Sequence, residues 1–334
     1  MNSNQGSLFT DDDPLTNGLG ASKVEYAFKS ANWLLGLMEQ PGIGPNKAIS
    51  IASSFENLAS LAETDPLVLK KLLKGAKLDL AALQQVDSTP PDDVKVITYF
   101  DSDYPAGLRD LASPPPILWY RGTISLSPSV AIVGTREPSL LGLKFARQAG
   151  EIASQQGIAV VSGLALGIDS AAHEGSLSNL GVNIAVLACD VRRPTPKSNG
   201  TLAEQILDNG GCLVAEVPPG TETEARNLVA RNRIQAAWSK RLIMAECGIP
   251  SGTLHTVRFA LEIARPVGVY SNGHQTLDGE SWAGNIALSS IQGLDPQILG
   301  GTKSFQEKVT LRKPCADVLL DSKESLLDFL QVGS

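Results

Sequence analysis

Two stretches of this sequence decide its fold: Val130-Ala-Ile-Val-Gly-Thr-Arg136 and Val160-Val-Ser-Gly-Leu-Ala-Leu-Gly-Ile-Asp-Ser-Ala-Ala-His173. Each begins as a short apolar run, passes through glycine and continues in a helical pattern. Backbone N–H groups at such a turn lie at the positive end of the helix dipole, and the missing Cβ lets an anion approach closely. The two stretches therefore predict parallel strands whose turns hold phosphate at one edge of a sheet.

Strand and helix patterns alternate from Val130 to Tyr270, which predicts a parallel α/β sheet. Upstream, apolar residues recur at helical spacing on both sides of Pro41-Gly-Ile-Gly-Pro45. That glycine turn fits either a packing turn in a small helical domain or a helix-hairpin-helix module that contacts DNA phosphates. We expect a disordered tail over 1–22, a helical domain over 23–90 and an extended Rossmann-like domain with its closing elements over 91–334.

The composition is that expected of a soluble protein with a sizeable core: 334 residues, 43% hydrophobic and 19% charged. No apolar run approaches the roughly 20 residues of a membrane span. The four cysteines show no zinc or disulfide spacing, so we expect a cytoplasmic protein without a metal. A net charge of −7 argues against nucleic-acid binding over the whole surface but permits a local basic groove.

Both stretches resemble the paired signatures of the DNA-processing protein A family, also called DprA or Smf. Later blocks resemble the same family in the same order: Ala215-Glu-Val-Pro-Pro-Gly220, Arg231-Asn-Arg-Ile234 and Ser251-Gly-Thr-Leu254. The resemblance implies a homodimer that binds single-stranded DNA without sequence preference and passes it to the RecA recombinase. It implies no bond-making chemistry and no cofactor, and it leaves open whether the pathway is transformation, repair or defence against invading DNA.

The predicted binding site is assembled from the turns at the strand ends. Arg136 would add a planar, bidentate phosphate contact, and basic residues further along would extend the site into a groove. Two alternatives are that the glycines only permit tight packing, with Arg136 paired to an acid, and that the basic residues form a solvated face. The predicted contacts are Gly134, Thr135, Arg136, Ser162, Gly163, Leu164, Gly167, Arg192, Arg193, Lys197, Asn227, Arg231, Arg233, Ser251, Gly252 and Thr253.

Asp169 and His173 stand one helical turn apart, so their side chains can meet on one face. They could form an acid/base pair, but we expect a structural role in which Asp169 caps its own helix and packing or a backbone contact holds His173. No nucleophile completes a catalytic arrangement, so an enzyme is not expected. Because Arg231 and Arg233 cannot share a helical face, at most one should point at ligand, and the other should meet an interface or an acid.

Two positions depart from the family pattern. Leu166 replaces an arginine, and Leu228 replaces an aromatic residue that would give about 1–3 kcal/mol per stacked base. Because of these departures, a second class of function stays open: the protein could be a nucleotide-phosphate-binding enzyme or sensor. Ser251-Gly-Thr-Leu254 with Glu262 resembles the cytokinin-activating phosphoribohydrolases, which are of that class. A third possibility is a degenerate family member that acts only as an interaction scaffold.

Overall fold

The structure is a computed structural model that describes residues 30–331 except 56–59, 62, 77, 80–82, 84–85, 87–88, 273–276, 293 and 313. The tail predicted over 1–22 lies outside the described residues. By the density of its internal contacts, the chain divides into two compact units. Of the described residues, the first unit takes those from 30 to 89 with 97–102 and 113–117, and the second takes 90–96, 103–112 and those from 118 to 331. The domain boundary at residue 90 stays a prediction.

The first unit contains helices on both sides of the glycine turn, so the predicted helix, turn and helix are confirmed. Gly42 has a φ of +80°, which glycine adopts without strain. The ammonium of Lys47 donates hydrogen bonds to the carbonyl oxygens of Gly42 at 2.7 Å and Leu73 at 2.8 Å. These contacts hold the turn against the third helix. The helices are α1 (Ala31–Glu39), α2 (Pro45–Ser54) and α3 (Pro66–Leu73).

The described residues include a nine-stranded sheet, which confirms the predicted α/β class. The order is β1-β2-β6-β5-β4-β3-β7-β8-β9. β2 pairs antiparallel with β6, and the pairs from β6 to β9 are parallel. The strands are β1 (Lys95–Thr98), β2 (Ile117–Gly122), β3 (Ser129–Val133), β4 (Ala159–Ser162), β5 (Asn183–Leu187), β6 (Cys212–Ala215), β7 (Arg241–Met244), β8 (Val267–Tyr270) and β9 (Val318–Leu320).

Helices connect the strands from β3 to β9, and the alternating pattern predicts this from Val130 to Tyr270. The helix after β4, Ile168–Leu177, ends shortly before Leu180, whose φ of +53° does not belong to a right-handed helix. The glycine-rich region from Ser271 to Pro314, which has no clear sequence pattern, contains two helices among its described residues. The helices are α4 (Leu140–Gln155), α5 (Ile168–Leu177), α6 (Gly200–Asp208), α7 (Ala225–Trp238), α8 (Thr253–Glu262), α9 (Ala283–Ser289), α10 (Lys303–Thr310) and α11 (Lys323–Gln331).

The strand order reverses at β3. From β3 the chain moves through β4, β5 and β6 on one side and then returns to β7 on the other side. In open parallel sheets, ligands bind at the carboxyl ends of the strands where such a reversal opens a crevice. The topology therefore predicts a ligand site among the residues that follow β3, β4 and β7. None of the described helices is both long and apolar enough to cross a membrane.

Glycines set the distance between α4 and α5. A Cβ at Gly150 would overlap the carbonyl oxygen of Ala172, and a Cβ at Gly175 would overlap that of Arg147. The two helix backbones can approach this closely only because both positions lack a side chain. This contact fixes α5, and with it the turn between β4 and α5.

We expect Gly175→Ala to lower the free energy of unfolding by about 1–3 kcal/mol, because the added methyl group overpacks the α4–α5 contact. Gly200→Ala is the matched control. Gly200 begins α6 with a φ of −58°, and a Cβ there meets no atom within 4 Å. That variant should be neutral or slightly stabilised. Chemical unfolding of both proteins tests the expectation, and equal stabilities would contradict it.

Candidate nucleic-acid interface

A cavity of about 450 Å³ lies at the carboxyl ends of β3, β4 and β7. Its walls are the turn after β3, one face of α7 and the start of α8. A second cavity of about 220 Å³ adjoins it. The two share Arg136, Ala165, Leu228 and Arg231. Together they form the crevice that the strand order leads one to expect.

Half of the predicted contacts gather at this crevice. Leu228 also lines both cavities and is partly exposed, so it stands beside the crevice and not in the core. The ligand-binding roles themselves stay predictions. The predicted contacts that line the larger cavity are Gly134, Thr135, Arg136, Arg231, Ser251, Gly252 and Thr253, and Gly163 lines the smaller one.

Arg136 is an exposed cation at the wall between the cavities. Among the residues that the structure describes, it forms no ion pair. The alternative in which an acidic neighbour occupies Arg136 therefore finds no support in the described contacts. A guanidinium in this position can offer two parallel N–H groups to a phosphate.

Glu246, which sequence reasoning missed, holds the turn after β3. Its carboxylate is fully buried and accepts hydrogen bonds from the backbone N–H of Ser139 at 2.9 Å and from its hydroxyl at 2.8 Å. Its carbonyl oxygen accepts from the N–H of Thr135 at 2.8 Å. A Cβ at Gly142 would overlap the carboxylate, so glycine is required there. Glu246 thus fixes the backbone on both sides of Arg136.

Asp169 holds the turn after β4. Its carboxylate accepts hydrogen bonds from the N–H groups of Gly163 at 3.1 Å and Ala165 at 3.3 Å. The prediction that Asp169 caps its own helix is wrong: Gly167 is the N-cap, and Asp169 reaches back from the first turn. Since Asp169 occupies these two N–H groups, this turn offers a phosphate fewer donors than the glycine pattern suggests.

Three predicted contacts near this turn do not line either cavity. Ser162 is fully buried, and its hydroxyl donates to the carbonyl oxygen of Ile132 at 2.7 Å. Leu164 is also fully buried and has a φ of +58°. Gly167 has a φ of +79°, and a Cβ there would overlap the carbonyl oxygen of Thr135. These residues shape the turn from beneath.

His173 is fully buried, and its Nδ1 forms a 2.8 Å hydrogen bond with Oδ1 of Asn183. Burial lowers the pKa of His173, so the neutral imidazole is favoured. The expectation of a structural histidine is supported, although a side chain holds it instead of the backbone. No hydrogen bond joins Asp169 to His173 among the described contacts.

The two arginines of the Arg231-Asn-Arg-Ile234 block have different partners. Arg231 is buried, donates to the carbonyl oxygen of Val186 at 2.5 Å and lies 3.8 Å from the Asp169 carboxylate. Burial lowers the pKa of Arg231. Arg233 donates to both carboxylate oxygens of Glu216, at 2.5 and 2.7 Å. The prediction that one of the pair meets an acid on the same fold is confirmed, and Arg231 is the one that lines the cavities.

The basic residues after β5 do not line either cavity, although Thr195 and Pro196 in the same loop line the smaller one. Arg192 and Arg193 pair with the buried carboxylate of Asp190, at 2.8 and 3.7 Å. Lys197 is exposed, and Asn227 is half-buried on α7, but neither lines a cavity. These four predicted contacts therefore lie outside the lining of the crevice, although Lys197 and Asn227 each adjoin a lining residue in sequence.

The contribution of Asp190 to the stability of the fold should depend on pH. Although burial alone would raise its pKa, hydrogen bonds from Arg192 and from the N–H of Gly220 lower the pKa from 3.8 to about 2. A depressed carboxyl pKa stabilises the fold above the unfolded pKa, and that stability is lost as the pH falls through the folded pKa. Asp190 should contribute about 2 kcal/mol near neutral pH.

We expect Asp190→Asn to be less stable than the unmodified protein at neutral pH, and we expect this difference to shrink between about pH 5 and pH 2. Chemical unfolding across that range measures it. Asp208→Asn removes an exposed carboxylate and is the control for loss of charge. A stability difference that does not change with pH would contradict the assignment.

Comparison with known proteins places this chain in a class of DNA-processing proteins. The family model for DNA recombination-mediator protein A matches residues 95–290. The chain belongs to that family, which confirms the resemblance seen in the sequence blocks. Protein Smf of Synechocystis is 32% identical over 255 residues, 72% of this chain and 64% of the relative. DNA processing protein DprA of Streptococcus pneumoniae is 36% identical over 169 residues, 50% of this chain and 59% of the relative.

The solved structures agree with the fold. DprA of Streptococcus pneumoniae superimposes with a TM-score of 0.63 at 25% identity, over 90% of this chain and 97% of that one. DprA of Helicobacter pylori, whose structure is described in terms of its single-stranded DNA binding mode, gives 0.51 at 24% identity over 58% and 86%. The chain spans 64% of the Synechocystis protein and 44% of Protein Smf of Escherichia coli.

Proposed function

We propose that this protein binds single-stranded DNA without sequence preference along the two adjoining cavities. The observation that carries the proposal is Arg136, an exposed cation without an ion pair in the described residues, which stands where the two cavities meet. On a chain of net charge −7, a cation so placed attracts a polyanion locally. The single-stranded DNA binding described for the Helicobacter pylori relative supports the same ligand.

The strand would follow the crevice past Arg136, with its phosphates near the turns after β3 and β7. Glu246 would keep the first turn rigid, so that little ordering entropy is lost when the strand binds. Arg231 would contribute positive potential from beneath, although Asp169 compensates part of its charge. The fully buried residues of the β4 turn would support the backbone without touching DNA.

We further propose that the protein acts in the cytoplasm as a homodimer and delivers strands to the RecA recombinase. The family description as a recombination mediator supports delivery to a recombinase. A dimer would align two crevices along one strand and raise avidity. The lag of RecA filament assembly on a single strand, measured with and without this protein, tests delivery, and sedimentation tests the dimer.

A second candidate is a nucleotide-phosphate-binding enzyme or sensor. The larger cavity favours it, since about 450 Å³ lies in the usual range of small-molecule sites, roughly 300–1,000 Å³. The same side chains that would hold a strand could hold one free nucleotide. The two functions differ in how affinity depends on ligand length.

The proposal predicts that a labelled single strand binds more tightly than the duplex or a mononucleotide, and that log affinity falls with log salt by roughly 0.7 per phosphate neutralised. Arg136→Ala should weaken strands of different sequence about equally and make that slope shallower by about one phosphate contact. Arg136→Lys should restore only part of the loss, because the ammonium lacks the guanidinium fork.

Arg147→Ala is the matched control, because Arg147 pairs with Glu174 on the α4–α5 surface and lines neither cavity. It should leave the affinity unchanged. Tighter duplex binding, or unchanged strand affinity in folded Arg136→Ala protein, would contradict the proposal. A mononucleotide that binds as tightly as the strand would favour the second candidate.

Leu228 allows a gain-of-function prediction. If bases pass the wall between the cavities, Leu228→Phe should tighten strand binding by up to about 1–3 kcal/mol through stacking. The gain should be nearly independent of salt, since stacking releases no counterions. Affinity and melting temperature measured on the same variant test this. A lower melting temperature without tighter binding would mean that the larger ring overpacks α7 instead of meeting a base.

A further inference from the structure

The deep end of the larger cavity is lined by neutral polar side chains. On α7, Asn232 and Gln235 follow Leu228 at helical spacing, four and seven residues further along the same face. On α8, Thr256 lies one turn beyond Thr253. All four polar side chains line the cavity, although each residue is at most 9% exposed. The floor of the cavity, beneath the exposed cation Arg136, therefore consists of these four neutral polar side chains and the buried Arg231–Asp169 ion pair.

Two donors at this floor have no hydrogen-bond partner in the described part of the chain. They are Nε2 of Gln235, a residue only 1% exposed, and Nε of Arg231. Asn232, by contrast, donates to the carbonyl oxygen of Gly252 at 3.3 Å. Buried polar groups in folded proteins are almost always paired. A buried carboxamide N–H group that has no partner and lines a cavity therefore points to a ligand that supplies the missing acceptor.

The chemistry of the floor selects the kind of ligand. A phosphate would be poorly placed here, because the Asp169 carboxylate also lines the cavity and offsets the charge of Arg231. A carboxamide presents a donor and an acceptor side by side. The polar edge of a nucleobase presents the complementary pattern, and Gln and Asn read base edges in this way elsewhere. The unstacked bases of a single strand are free to enter a pocket.

We infer that the floor of the larger cavity is a subsite for one unstacked nucleobase, held by the Gln235 carboxamide while the sugar–phosphate backbone passes Arg136. The inference rests on the proposed function and deepens it, because it assigns a base contact to a site otherwise argued from phosphates. Because the carboxamide can turn to offer either its donor or its acceptor, the subsite tolerates all four bases. The same subsite would accept the base of a free nucleotide.

The test compares Gln235→Met with the unmodified protein on two single strands of equal length, one with bases and one with abasic sugars. Methionine keeps the approximate volume and removes the carboxamide. The variant should bind the base-bearing strand about two- to tenfold more weakly, as expected for one net hydrogen bond, and should bind the abasic strand as before. Arg136→Ala, which acts on phosphates, should weaken both strands alike.

Gln205→Met on the exposed surface of α6 is the matched control and should change neither affinity. Thermal melting of Gln235→Met separates a binding role from a structural one. Because the variant removes an unpaired buried donor, its melting temperature should be unchanged or higher. Equal loss on both strands, or no loss on either, would overturn the base subsite while leaving strand binding intact.

Failure of the proposed function has a different signature. If the unmodified protein binds neither strand, deoxyadenosine and deoxythymidine monophosphates become the probes. Weaker mononucleotide binding by Gln235→Met would then retain the base subsite and reject the strand. Unchanged or absent mononucleotide binding would overturn both.

Discussion

The buried guanidinium of Arg231 ties together the elements on which the crevice depends. It donates to the end of β5 at Val186, pairs with Asp169 on α5 and packs so closely on Gly163 that no side chain fits there. A charge in this position is tolerated only with such partners, because desolvation is costly. These contacts therefore fix the position of α7 relative to the β4 turn, and with it the shape of the cavities between them.

Two buried carboxylates complement this arrangement. Asp169 occupies the N–H groups of the β4 turn, and Glu246 braces the β3 turn through Ser139. Both turns contain the glycines that usually prepare a phosphate site, yet the protein's own acids use part of that capacity. Among the residues that line the two cavities, Arg136 is the exposed cation and Arg231 is buried, so the proposed anion site depends on Arg136.

Much of the fold could be predicted from sequence because hydrophobic periodicity and glycine turns act locally. The strand and helix order, the turn around Gly42 and the convergence of the three loops follow from such signals. The partners of Asp169 and the bracing by Glu246 could not be predicted, since Glu246 meets Ser139 across 107 residues of chain. Arg192 and Arg193 were predicted as phosphate contacts for the same reason, because the sequence does not show that Asp190 pairs with them. The position of Gln235 in the crevice could have been predicted, since its spacing of seven residues from Leu228 places both on one helical face.

The two cavities share a wall, so ligand binding in one can affect ligand binding in the other. Arg136, Ala165, Leu228 and Arg231 belong to both, so an occupant that displaces one of these residues changes the shape of the neighbouring space. Occupation of the two cavities is then thermodynamically linked, and whatever the first occupant does to the affinity of the second, the second does equally to the first. If a single strand binds as proposed, neighbouring nucleotides would not bind the two cavities independently. The affinity of one cavity would depend on whether the other is occupied.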